Sequence, residues 1–122
     1  MAKITEEAKK AIETARPSLV ATASKNGKPN VSAKGSIQVL DDEHVTFVDV
    51  ASPRTINNIR ENPQISIICI DYPTRKGCRV WGKAEIFNSG ELFDKVAAVM
   101  TARRNQKVNN VVKVTVEEVE LF

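Results

Sequence analysis

The most restrictive feature of the chain is Asn26-Gly27, set between Leu19–Ser24 and an alternating run from Pro29 to Leu40. Asn-Gly between β-like runs is a strong hairpin signal, because both turn residues must tolerate positive φ. In the second run Val31, Ala33, Gly35, Ile37 and Val39 form one face, and Asn30, Ser32, Lys34, Ser36 and Gln38 the other. That period of two belongs to a strand. A turn at Asp41-Asp42-Glu43 leads to a third strand, His44–Val50. Gln64–Asp71 reads as a continuous apolar strand, expected to be buried on both faces. After a loop at Tyr72–Gly77 comes Cys78–Phe87, with Val80, Gly82, Ala84 and Ile86 on one side. The last strand, Val111–Phe122, shifts its apolar phase, which predicts a bulge near Glu117-Glu118.

Three helices interrupt these strands. Thr5 is positioned to cap the first, which runs to about Ala15 with Ala8, Ala11, Ile12 and Ala15 on one stripe; Pro17 ends it. The second runs from Pro53 to about Glu61 with Ile56 and Ile59 inward, and Asn62-Pro63 stops it. The third is expected from a Ser89 cap to Arg103, with Leu92, Phe93, Val96, Val99 and Met100 as its apolar stripe. Six strands joined largely by hairpins, with three helices between them, predict a mainly antiparallel α+β barrel or sandwich in a single domain spanning residues 1–122. A doubly wound sheet is disfavoured, because it requires a helix after nearly every strand. Aromatic residues make up only 5% of the 122, so Val, Ile and Ala must fill the core, a composition suited to a barrel.

Charge and motifs narrow the function. The net charge of +3 is compatible with an anionic ligand, but Lys and Arg are scattered apart from Arg103-Arg104 near Lys107. A nucleic-acid binder would concentrate them and set aromatic platforms beside them, so a basic barrel for single strands is the weakest reading. Cys69, Cys78 and the single His44 have no metal-ligand spacing, and the two cysteines are expected as reduced, partly buried thiols. With no apolar leader and no run of membrane-spanning length, a cytoplasmic protein is expected. Nucleophile-elbow, phosphate-loop and dinucleotide motifs are absent and no catalytic acid, base or nucleophile stands out, so redox chemistry would require a cofactor.

The informative local stretch is Val48-Asp49-Val50-Ala51-Ser52-Pro53-Arg54-Thr55. A strand runs into a helix with Ser52 as N-cap and Pro53 at the first helical position. Free N–H groups and the positive dipole end make an anion site there. Arg54 in the first turn opposes the dipole unless an anion lies between them, although a well-capped surface helix with an incidental Arg fits equally well. Lys34 between Ser32 and Ser36, on the polar face of a central strand, suits oxygen-rich ligands or open solvent. Trp81 alternates with Arg79 and Lys83 on an outer face, where it would meet a ligand, a subunit or the third helix.

Together these segments resemble the pyridoxamine 5'-phosphate oxidase-like FMN-binding split-barrel family. The resemblance rests on Pro29–Gly35, Thr46–Thr55, the helix end Glu61-Asn62-Pro63 and the strand Arg79–Ala84, in that order. It implies a six-stranded split barrel binding FMN, with Arg54 and Thr55 at the phosphate. It further implies Ser32, Ala33 and Lys34 from the second strand, Val48 and Asp49 lining the flavin, and Gly77, Arg79 and Trp81 reaching in from the partner of a homodimer. A small FMN-dependent oxidoreductase or electron carrier is the implied function, with a deazaflavin or haem as the alternative cofactor in such a barrel. The family's oxidases continue into an Arg- and Trp-rich segment that recognises substrate, so with the sequence ending at Phe122 vitamin B6 oxidation is not expected. Asp49 stands where many relatives carry a hydroxyl residue and is expected at ribityl hydroxyls or a flavin N–H. Gly77 replaces a polar residue of the oxidases.

Overall fold

The Asn26-Gly27 hairpin forms, but as a three-residue loop. Gly27 N–H donates to the Ser24 carbonyl, Ser24 N–H to the Lys28 carbonyl, and Gly27 adopts φ 87° while Asn26 stays at negative φ. That is a type I turn closed by a left-handed glycine, the common three-residue hairpin. The computed structural model describes residues 3–122, with the side chain of Arg104 outside the description. In chain order the elements are α1 (Glu6–Thr14), β1 (Ser18–Ala23), β2 (Pro29–Lys34), β3 (Gln38–Asp41), β4 (His44–Asp49), α2 (Pro53–Glu61), β5 (Gln64–Asp71), β6 (Lys76–Phe87), α3 (Glu91–Arg104) and β7 (Asn110–Leu121).

The strands form one antiparallel sheet of seven, in the order β2-β1-β5-β6-β7-β4-β3. The predicted strand Pro29–Leu40 is therefore two strands. β2 pairs with β1 and β3 with β4, at opposite edges of the sheet. A flat sheet of this width would hold its edges about 29 Å apart. Residues 35–37 span at most about 14 Å, so the sheet must roll until its edges meet. This crossing is the split in the barrel. It also corrects the position of Lys34, which stands on an edge strand and not a central one.

The rolled sheet encloses Val20, Ile37, Val45, Phe47, Ile67, Val80, Val112, Val114 and Val116, each at most 1% exposed. Helix α1, capped by Thr5 Oγ1 on Ala8 N–H at 3.2 Å, adds Ala8 and Ile12 to this core. Helix α2 adds Ile56 and Ile59. A smaller core joins Val96 and Met100 of α3 to Val48, Val108 and Val111. The predicted bulge is present: Trp81 faces Glu118 and Gly82 faces Val116, leaving Glu117 unmatched. No helix of the described residues is long and apolar enough to cross a membrane.

Two further expectations are corrected. Strand β5 buries only one face, Ile65, Ile67 and Cys69, while Ser66, Ile68 and Ile70 remain half-buried. Its apolar outer face lies on the open side of the sheet, which a single chain does not cover. Helix α3 is preceded by Gly90 at φ 97° without a side-chain cap, so Ser89 does not cap it. Cys69 and Cys78 face each other across β5 and β6 as free, fully buried thiols, with Ser18 Oγ–H donating to Cys69 Sγ at 3.2 Å.

Gly77 has a structural cause. A Cβ built there would collide with the Cys69 carbonyl oxygen and come within 2.9 Å of Ile70 Cα, both rigid parts of the paired strand. Gly77→Ala is expected to destabilise the fold by about 2 kcal/mol, an ordinary overpacking cost, measured as a lower urea midpoint at unchanged slope.

Candidate functional site

Strand β4 delivers its chain to α2 through a turn organised by Asp49. This carboxylate is 5% exposed, and Oδ1 accepts from Ser52 N–H at 2.8 Å and from Ser52 Oγ–H at 2.6 Å. Oδ2 accepts from Asn110 Nδ2 of β7 at 2.8 Å. Because the Ser52 proton is committed to Asp49, Ser52 Oγ can only accept from Lys34 Nζ, at 2.7 Å. Carboxylate, hydroxyl and ammonium thus form one directed chain linking β4, the α2 start and β2. The Lys34 ammonium also lies 5.9 Å from the Phe47 ring centroid, within cation–π range.

The charges respond to this packing. Burial pushes the Asp49 carboxyl up, but the bonds from Ser52 and Asn110 and the nearby Lys34 outweigh it and hold it below the ordinary carboxylate value. Burial draws the Lys34 ammonium below its usual value, against the opposing pull of Asp49.

Ser52 occupies the N-cap position of α2 but makes no side-chain cap, because its hydroxyl is turned to Asp49 and Lys34. With Pro53 at the first position, the first turn is left without a side-chain acceptor. Arg54 is exposed in that turn and forms no ion pair among the described residues. Thr55 is 1% exposed, with its hydroxyl 2.7 Å from Ser32 Oγ, so it fastens α2 to β2 and is not presented to solvent.

Ala33, Lys34 and Val48 line a cleft of about 130 Å3 with Gly35, Ser36, Val50, Ala51, Met100 and Gln106. Arg54 lines a second, of about 200 Å3, with Ser24, Lys28, Pro29, Asn30 and Asn58. The structure therefore gathers Ser32, Ala33, Lys34, Val48, Asp49, Arg54 and Thr55 around the start of α2. Gly77, Arg79 and Trp81 lie elsewhere in the same chain. Val31, Ala21, Ser66 and Trp81 form one row across β2, β1, β5 and β6, which places Trp81 about 14 Å from β2. Arg79 stacks between Trp81 and Phe122, with centroids at 5.9 and 5.5 Å, and is paired with Glu120. Asn110 and Lys28 are not marked by any local pattern, since Asn110 reaches Asp49 through the β4–β7 pairing and Lys28 reaches its cleft through the β1–β2 turn.

The hydrogen bonding of Asp49 can be read in stability. Its depressed carboxyl contributes stability above the ordinary carboxylate pKa of about 4, and that stability is lost as pH falls through its lower folded value. Asp49→Asn is expected to cost about 2 kcal/mol at pH 7. The gap to wild type should close on acidification, as followed by thermal melts across pH 2–7.

The fold has counterparts in known proteins. The family model for pyridoxamine 5'-phosphate oxidase matches residues 4–122. An uncharacterised protein of Methanocaldococcus jannaschii is 39% identical over 94 residues, covering 73% of this chain and 60% of that relative's length. The crystal structure of HupZ from Group A Streptococcus superposes with a TM-score of 0.90 at 28% identity, covering 98% of this chain and 94% of that one. An FMN-binding protein of Syntrophomonas wolfei shares the fold with a TM-score of 0.87 at 15% identity, covering 97% of this chain and 85% of that one. The fold recurs in an F420 reductase and in HutZ, the heme storage protein of Vibrio cholerae, each with a TM-score of 0.72 at 19% and 23% identity. The match across nearly the whole chain places it in the pyridoxamine 5'-phosphate oxidase family.

Proposed function

We propose that the chain is an FMN-binding flavoprotein that works as a homodimer, either as a small flavin-dependent oxidoreductase or as an electron carrier. The observation that carries this reading is the start of α2: a helix end without a side-chain cap whose serine is diverted inward, with Arg54 in its first turn forming no ion pair among the described residues. A cation there opposes the helix dipole, and an anion seated between them removes the conflict. Arg54 would hold the phosphate, and Lys34, fixed as a donor by Ser52, would face an oxygen or nitrogen of the ring system. Bound FMN supplies the electron chemistry that the protein's own side chains lack.

Two features support a second copy. Clefts of about 130 and 200 Å3 are each smaller than the roughly 300 Å3 of a pocket that buries a ligand of flavin size, so one chain offers part of a site. The outer face of β2, β1, β5 and β6 carries Val31 at 62% exposure with half-buried Leu19, Ile68 and Ile70. A partner seated on that face would bring its own Arg79 and Trp81 toward the flavin, the role in which the family resemblance casts them.

The folds of the F420 reductase and of HutZ keep a deazaflavin or haem as competing cofactors. His44 lies away from the α2 entry. Its Nδ1 is 2.7 Å from Asp41, at the opposite end of β4 from Asp49, about 16 Å away along the strand.

Arg54→Ala is expected to weaken FMN binding by about tenfold, from loss of a charge-assisted bond, read by quenching of flavin fluorescence. Unchanged affinity would remove the phosphate assignment. Val31→Glu places a charge on the apolar face and is expected to convert the dimer to monomer in sedimentation equilibrium, with FMN affinity falling alongside. A wild-type protein that sediments as a monomer while binding FMN would contradict the shared site.

A further inference from the structure

Cys69 and Cys78 take no part in the site at the start of α2, yet they are placed for chemistry of their own. They stand directly opposite each other in the antiparallel register of β5 and β6, and both are free and fully buried. Residues opposed in this way hold their Cα atoms about 4.5–5.5 Å apart, inside the range of about 4.4–6.8 Å that a disulfide spans. Gly77, next to Cys78, has no side chain to hold its strand off the Cys69 carbonyl, so the strands meet closely at the pair. The strand pairing therefore supplies the backbone geometry of a disulfide.

The two sulfurs have unequal surroundings. Cys69 Sγ accepts from Ser18 Oγ–H at 3.2 Å, whereas Cys78 Sγ lies 4.0 Å from the Ala8 carbonyl, itself an acceptor. The bond that Cys78 donates to Cys69, with help from Ser18 and the Arg16 guanidinium, draws the Cys69 thiol below its ordinary value against the effect of burial. The same bond, together with burial, pushes the Cys78 thiol up. One sulfur is prepared as a thiolate and the other holds its proton.

Helix α1 packs on β5 and β6, and its Ala8 belongs to the core cluster that contains both cysteines. Beside it lies a cleft of about 330 Å3 between α1 and the β5–β6 turn, lined by Ala11, Lys76, Gly77 and Phe122 among others. Solvent thus reaches Gly77, the residue next to Cys78, and stops short of the sulfurs. A small reagent in the cleft has α1 to displace, and a helix of nine residues lying on a sheet opens at lower free energy than the sheet beneath it.

We propose that Cys69 and Cys78 are a redox-active dithiol that hydrogen peroxide oxidises to an intrachain disulfide, with Cys69 as the attacking thiolate and Cys78 as the resolving thiol. Cys69 attacks one peroxide oxygen and the O–O bond breaks. The Cys69 sulfur becomes a sulfenic acid, and the released hydroxide takes the proton that Cys69 gave up. The Cys78 sulfur then attacks the Cys69 sulfur, the S–O bond breaks, and the departing hydroxide leaves as water with the Cys78 proton. Two thiols and one peroxide become one disulfide and two waters, the thiols supplying both electrons. A dithiol reductant reverses the reaction by exchange. The chemistry requires no flavin and stands independently of the FMN reading.

The test is to treat the folded wild-type chain with hydrogen peroxide, quench it, denature it with an alkylating agent and analyse it by mass spectrometry with peptide mapping. The expected product is a single chain lighter by two hydrogens, unalkylated at both cysteines, with residues 69 and 78 in one cross-linked peptide. Dithiothreitol should restore two alkylatable thiols. Cys78→Ala should stop at a Cys69 sulfenic acid captured by dimedone, and Cys69→Ala should lose its remaining thiol at least about tenfold more slowly than Cys78→Ala does. Two intact thiols in wild type, under conditions that oxidise free glutathione, overturn the proposal, and so does a disulfide that forms between chains. Equal oxidation rates in the two variants overturn the roles assigned to the sulfurs. The wild-type measurement decides the disulfide even where a variant does not fold.

Discussion

The carboxylate of Asp49 fixes the arrangement on which the site depends. It takes both donors of Ser52 and one from Asn110, and through Ser52 it sets the position of Lys34. Four pieces of the chain meet there: the end of β4, the start of α2, the first residue of β7 and the last residue of β2. A buried carboxylate is tolerable only when it is hydrogen-bonded, and here the protein supplies three donors. The consequence at the helix is indirect. By capturing Ser52, Asp49 removes the side chain that would otherwise cap α2, and the first turn is left open to an external acceptor.

Asp49 and Thr55, which the family resemblance sets at the cofactor, are both engaged by protein groups in this chain. Within this chain both oxygens of Asp49 accept from protein donors, and through Ser52 the carboxylate positions Lys34. Thr55 changes in the same direction, from a hydroxyl offered to phosphate to one spent on Ser32. What remains turned outward is a set of cations, Arg54 and Lys28, on a cleft braced by hydrogen bonds. A rigid frame with free charge at its mouth is what preorganised anion recognition requires.

Much of the fold was legible because the local signals agreed with the final structure. Asn26-Gly27 marked the first hairpin, Pro53 the first helical residue of α2, and the phase shift at Glu117 a real bulge. The break at residues 35–37 was not legible. Alternation in the sequence continues through it, although a bend at Gly35 leaves Val31 turned outward and Ile37 inward, and only the closure of the sheet demands the crossing. The exposed Val31 shows the matching limit: periodicity separates two faces but does not say which one the barrel encloses. At the site, chain order located Lys34, Asp49 and Arg54, whereas Lys28 and Asn110 come from turns and strands far away in sequence. Capping rules assigned Ser52 by position and had no view of the two charged groups competing for its hydroxyl.

The central claim is that this open, cationic entry to α2 holds a flavin phosphate. The most direct measurement is the visible absorption spectrum of the protein after equilibration with excess FMN and removal of free cofactor, with mass analysis of what denaturation releases. The account predicts a retained flavin spectrum and release of FMN in proportion to chain. A chain that retains no flavin, or a preparation whose spectrum is instead the Soret band of a haem, would contradict it.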